Sequence, residues 1–131
     1  MNCSSAPIAD GVSGEGVKIL VVGAGSAGRR HIQNLAQLGV EVSVFRYRQH
    51  LAQELRTEFG VPVHNSLEEA LDSSPDAVVI ANRPDQHLQV ACDAARRGIH
   101  LYIEKPLSHD LTRLRDLETM TSDKSLVVET G

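Results

Sequence analysis

Six parallel strands in a doubly wound α/β sheet, folded as a single domain, are what this 131-residue sequence predicts, on three observations. Strand-like and helix-like patterns alternate from residue 17 onward, with a helical pattern between each successive pair of strands. The runs VKILVV and DAVVIA are apolar on both faces, as central strands covered by helices on each side require. Three helical runs stop at Gly39, Gly60 and Gly98, where a residue in the left-handed conformation ends a helix.

The elements follow in order. Residues 1–16, MNCSSAPIADGVSGEG, are small and polar without periodicity, the composition of a disordered leader. The ordered domain, 17–131, opens with the strand VKILVVG, the helix SAGRRHIQNLAQLG and the strand VEVSVFR. HLAQELRTEFG is the second helix and VPVH the third predicted strand. SLEEALDSS is a short helix whose Ser66 and Glu69 form a capping box. DAVVIAN is the fourth strand, and Pro84 suits the first turn of the helix PDQHLQVACDAARRG, where its missing donor is not needed. IHLYIE, the helix DLTRLRDLETMTSD and SLVVET complete the series.

Composition removes several classes of function. A net charge of −4 gives no electrostatic footprint for nucleic acid or anionic membrane, and an aromatic content of 3% leaves little material for base stacking. The longest apolar run, around residues 17–22, is far below the roughly 20 residues of a membrane helix. The amino end lacks the basic-then-apolar profile of a signal peptide, so a cytoplasmic location is expected. Cys3 and Cys92 have neither metal-ligand nor redox spacing, so reduced thiols and no metal site are expected.

Chemistry begins at Gly23-Ala24-Gly25-Ser26-Ala27-Gly28, a GxGxxG string that follows a buried strand and opens a helix. In that setting Gly23 allows the tight turn, Gly25 lets a pyrophosphate approach the backbone, and Gly28 lets the helix pack closely on the strand. The free N–H groups and positive end of the helix then hold the phosphates of a dinucleotide. Arg29 and Arg30 oppose the helix dipole at this end, an opposition that a bound anion reverses. Many NAD-binding domains carry an acid about 20 residues after the glycines to bind the adenosine ribose. Here Arg46 and Arg48 occupy that region. A carboxylate repels a 2′-phosphate, whereas a guanidinium binds it through two parallel bonds, so NADP is the expected cofactor and NAD the second choice.

Ligands of open parallel sheets sit outside the carboxyl ends of the strands. After DAVVIA come Asn82, Arg83, Pro84, Asp85, Gln86 and His87, and after HLYI come Glu104, Lys105 and Pro106. GAGSAGRRH, ANRPDQH and EKPLS, in that order and spacing, resemble the nucleotide-binding domain of the Gfo/Idh/MocA family of NAD(P)-dependent oxidoreductases, over residues 17–131. The resemblance implies a Rossmann fold with Lys105 beside the nicotinamide and the substrate as the catalytic or substrate-orienting group. It implies Glu104 near the nicotinamide ribose, a cis peptide before Pro106, and Asn82 and His87 as the cofactor-contacting residues of the loop after the fourth strand. Arg83 stands where the family usually has proline, and Pro84 comes one residue later, so that loop is expected to take a different shape. An amine beside the nicotinamide is suited to share a substrate hydroxyl proton during hydride transfer. His31, His50, His64, His100 and His109 share no spacing and read as packing or surface residues.

Family members carry a second, larger α/β domain that supplies substrate contacts and usually the oligomer interface. The pattern here stops at Gly131, which matches the hand-over to that domain, so the second domain is expected to be absent from this chain. Two functions follow from the resemblance. One is the cofactor domain of an oxidoreductase acting on a sugar, polyol or nucleotide-sugar, incomplete for catalysis by itself; the other is a stand-alone dinucleotide-binding module without turnover. A methyltransferase reading is disfavoured by the EKP segment and by Arg46 in place of an acid. Apolar surface left for a docking domain is expected to favour some self-association.

Overall fold

The computed structural model of the chain describes residues 16–105 and 111–131. The predicted leader up to residue 15, with Cys3, lies outside the described residues, as do Pro106 with its predicted cis peptide and His109. Five strands form one parallel sheet in the order β2-β1-β3-β4-β5. They are β1 (Lys18–Val22), β2 (Glu41–Phe45), β3 (Ala77–Ile80), β4 (His100–Ile103) and β5 (Val128–Thr130). The helices are α1 (Ser26–Gln37), α2 (Ala52–Phe59), α3 (Leu67–Asp72), α4 (His87–Arg96) and α5 (Leu111–Asp123).

The third predicted strand, VPVH, is corrected to a single bridge between Val63 and Val44 of β2, which leaves five strands of the predicted six. Val44 N–H donates to the Pro62 carbonyl at 3.0 Å, and His64 N–H donates to the Val44 carbonyl at 2.8 Å. Extending that ladder backward needs an N–H on residue 62, and proline has none. Extending it forward needs the His64 carbonyl, which accepts instead from the Gln49 side chain at 3.2 Å. The pairing therefore stops after one residue.

Alternation along the strands divides the core between the two faces of the sheet. Leu20, Val22, Val78, Ile80, Leu101 and Ile103 pack with α3 and α4 and with Leu117 of α5 on one face. Val21, Val44 and Val79 pack with Ile32 of α1 and Leu55 of α2 on the other. In β1, Leu20, Val21 and Val22 are all 0% exposed, which identifies it as a central strand covered on both sides. Each such aliphatic side chain contributes about 1.5–3 kcal/mol on burial. The capping box is half realised: the Ser66 hydroxyl accepts from Glu69 N–H at 3.1 Å and starts α3. At the far edge β5 is exposed along its length.

Candidate functional site

The carboxyl ends of the strands are laced into a common rim. Gly23 N–H donates to the Phe45 carbonyl at 2.9 Å, Ala81 N–H to the Val22 carbonyl at 2.8 Å, and Glu104 N–H to the Ile80 carbonyl at 3.0 Å. Each residue that leaves a strand is thus fixed by the last carbonyl of its neighbour. Beyond the edge, Lys105 N–H donates to the Gly131 carbonyl at 2.9 Å and Gly131 N–H to the Ile103 carbonyl at 3.1 Å.

The glycine turn is constrained at two of its three glycines and open at the third. Gly23 has a φ of +103°, and a Cβ there would lie 2.6 Å from the backbone of Ala81 and Asn82. A Cβ on Gly28 would lie 2.1 Å from the Gly23 carbonyl oxygen, so the approach of α1 to the turn excludes any side chain. A Cβ on Gly25 would meet nothing within 4 Å. Gly25 is the N-cap of α1; no side chain caps this helix end and no acid lies in its first turn. An uncapped helix start with room beside Gly25 is the arrangement that receives a phosphate.

A cleft of about 580 Å³ lies over this rim. The glycine turn contributes Gly23, Ala24 and Gly25; the end of β2 contributes Arg46, Tyr47 and Arg48; the loop after β3 contributes Ala81, Asn82, Arg83 and Gln86. Two buried polar atoms of its lining residues have no hydrogen-bond partner among the described residues, Nη1 of Arg46 and Oδ1 of Asn82. A buried donor and a buried acceptor left open on one cleft fit a polar ligand that presents both an anion and a hydrogen-bond donor. Gln49 holds the arginine loop in place by donating to the Arg46 carbonyl at 2.7 Å. Burial pushes the Tyr47 phenol above its ordinary range, and a side-chain hydrogen bond from Asn82 holds it partly down.

Of the residues singled out from the sequence, the cleft gathers Gly23, Ala24, Gly25, Arg46, Arg48, Asn82 and Arg83. Ser26, Ala27 and Gly28 form the first turn of α1 behind it. His87 is 1% exposed and does not line the cleft. Its Nε2 lies 2.8 Å from the Asn82 carbonyl, so it supports the Asn82 loop from the core side. Glu104 and Lys105 stand two strands away from Gly23 across the rim and do not line the cleft; Lys105 is exposed. Tyr47, Ala81 and Gln86 line it without having been singled out; an aromatic between two strand-end arginines was the available signal for Tyr47.

The two arginines of the first α1 turns have partners within the chain. Arg29 pairs with Glu54 and Glu58 of α2 and lies 5.9 Å from the Phe59 ring centroid, joining α1 to α2. Arg30 reaches Glu104 at 3.7 Å, and His31 reaches the same carboxylate at 3.4 Å. Cys92 is a buried free thiol. Burial pushes it up, which disfavours the nucleophilic thiolate. Among the described residues no helix is long and apolar enough to cross a membrane, and no cluster of His, Cys, Asp and Glu is arranged to hold a metal ion.

An uncapped helix behind a glycine turn, at the point where strand order reverses between β1 and β3, defines a nucleotide-binding Rossmann domain. Residues 17–131 match the oxidoreductase family with NAD-binding Rossmann fold known as Gfo/Idh/MocA, and the chain belongs to that family. It is 32% identical over 111 residues to UDP-N-acetylglucosamine 3-dehydrogenase of Acidithiobacillus ferrooxidans, covering 85% of this chain and 35% of the relative. A crystal form of that enzyme superimposes with a TM-score of 0.80 at 30% identity, over 87% of this chain and 36% of the other. Myo-inositol 2-dehydrogenase of Thermotoga maritima is 25% identical over 122 residues, covering 88% of this chain and 36% of the relative. An enzyme of gentamicin A biosynthesis, solved in complex with NAD, superimposes with a TM-score of 0.79 at 28% identity, over 88% of this chain and 34% of the other. The chain spans about a third of the length of the relatives it matches.

Proposed function

We propose that this chain binds a nicotinamide dinucleotide, NADP(H) in preference to NAD(H), as the cofactor domain of an oxidoreductase acting on a sugar, polyol or nucleotide-sugar. The observation that carries the reading is the cleft itself, with Arg46, Arg48 and Arg83 gathered around one volume and Nη1 of Arg46 buried without a partner. In this reading the N–H groups at the start of α1 bind the pyrophosphate, and Gly25 is glycine because a side chain would take the phosphate's place. Arg46 binds the 2′-phosphate by parallel charge-assisted bonds, with Arg48 and Arg83 adding to the positive potential. His87 acts through Asn82, fixing the loop that carries it. The bound cofactor supplies the acceptor or donor of a hydride. Lys105, next to the backbone anchor at Ile80, orients the substrate and exchanges a proton with its reacting hydroxyl. The sugar-type substrate is supported by what the relatives act on.

A second reading, a dinucleotide-binding module without turnover, is favoured for the chain by itself by the exposure of Lys105. Hydride transfer needs a substrate held against the nicotinamide and shielded from water, and an exposed amine provides no such enclosure. Nicotinamide fluorescence during titration with NADPH and NADH tests the proposal. Saturable binding that is tighter for NADPH is the expected result, and the lack of binding of either dinucleotide overturns it. Assays with sugar substrates, alone and with a separately made substrate domain of a relative, then separate the two readings.

A further inference from the structure

We propose that Arg30 and His31 are positioning residues for Glu104, so that α1 serves both halves of the dinucleotide: its backbone holds the phosphates, and its side chains orient the carboxylate that receives the second nucleoside. This inference rests on the cofactor reading above.

The cluster lies outside the arginine cleft, at the carboxyl end of β4. His31 Nε2 lies 3.4 Å from Glu104 Oε1, and an Nη atom of Arg30 lies 3.7 Å from the same oxygen. The Glu104 and His31 side chains are only 16% and 19% exposed. His31 Nε2 is buried and has no hydrogen-bond partner among the described residues, so Glu104 is the group it faces. The His31 ring stands edge-on to Tyr102 of β4, with centroids 5.3 Å apart. The Tyr102 hydroxyl in turn lies against Gly131, where a Cβ would come to 2.1 Å from it. Backbone bonds from Glu104 to Ile80 and from Lys105 to Gly131 fix the main chain at the same place. The carboxylate therefore faces two side chains of α1, while its main chain is fixed on β3 and the neighbouring Lys105 main chain on Gly131.

Stability alone is a poor reason for this cluster, since the Arg30 side chain is 64% exposed and an ion pair with one partner in solvent contributes little. Its place on the rim gives a better one. With adenosine over the end of β2 and phosphates over Gly25, a dinucleotide continuing across the sheet brings its second nucleoside over the ends of β3 and β4. An oriented carboxylate there accepts a ribose hydroxyl in a charge-assisted bond. Arg30 and His31 select the rotamer in which it does so.

The test compares ligands that do and do not contain the second nucleoside. The full chain and its His31→Leu, His31→Gln and Arg30→Gln variants are titrated with NADPH, NADH and ADP. His31→Leu should weaken the better dinucleotide about fivefold while ADP changes by less than about twofold, because one charge-assisted bond is lost at one end only. His31→Gln, which keeps a donor of similar reach, should recover most of the loss. In a Glu104→Gln background His31→Leu should add nothing, the signature of two residues acting through one contact. Equal weakening of ADP and dinucleotide would mean that α1 had merely moved, and would overturn the inference. So would no change in either. A wild-type chain that binds neither dinucleotide nor ADP overturns the cofactor reading first and this inference with it.

Discussion

The β1–β2 side of the rim and the β4–β5 side are built from the same sheet and use their polar groups differently. Over β1 and β2 the structure leaves groups open: an uncapped helix start, a buried Arg46 nitrogen and a buried Asn82 oxygen, all bordering one cleft. Over β4 and β5 charged groups meet one another: Glu104 lies within 4 Å of Arg30 and of His31, whose Nε2 makes no hydrogen bond among the described residues, and the Lys105 main chain is tied to Gly131. The residues beyond are exposed: Lys105 at the end of β4, and Glu129 and Thr130 at the end of β5. Polar groups without internal partners thus border a cleft at one end of the rim, and at the other a largely buried carboxylate stands beside an exposed lysine.

The sharpest way to break the comparison is at the glycines. Gly28→Ala forces a carbon to 2.1 Å from a backbone oxygen, and Gly23→Ala combines a similar clash with positive φ. Each should lose at least about 3 kcal/mol of stability in urea unfolding, because backbone on both sides prevents relaxation. Gly25→Ala, facing open space, should cost under about 1 kcal/mol in the same experiment while weakening dinucleotide binding. Next in size, Arg46→Ala should weaken NADPH at least about tenfold, roughly 1.4 kcal/mol, with NADH nearly unaffected, in a fluorescence titration. Arg29→Ala removes a partly exposed ion-pair link between α1 and α2, and thermal unfolding should register less than about 1 kcal/mol. The smallest effect on stability belongs to Lys105→Ala. It should leave stability within about 0.5 kcal/mol and ADP binding unchanged, while abolishing whatever turnover a partner domain restores.

The alternation of strands and helices was legible because hydrophobic periodicity is a local property, and so was the central place of β1 and β3, whose residues are apolar on both faces. VPVH misled because its composition is that of a strand, while strand formation needs a ladder. Pro62 removes one rung and the Gln49 side chain takes the acceptor of the next. Gly23, Gly25, Arg46 and Asn82 were legible as a group because in a parallel sheet the residues after each strand share one edge. Tyr47 and Gln86 were not, because their place depends on loop shape. Nor was the meeting of His31 with Glu104. It joins the second turn of α1 to the end of β4, and nothing in the spacing of the two residues announces the contact.

The central claim is that one dinucleotide lies across the strand ends with its phosphates at Gly25 and its adenosine against Arg46. Amide chemical-shift mapping of the isotopically labelled chain during NADPH titration tests it most directly. Saturable shifts are expected at the amides of residues 23–28, 46–48 and 81–83, with a second, weaker group at His31 and Glu104 that ADP does not produce. Shifts confined to other faces of the domain, or none at saturating NADPH, would contradict it.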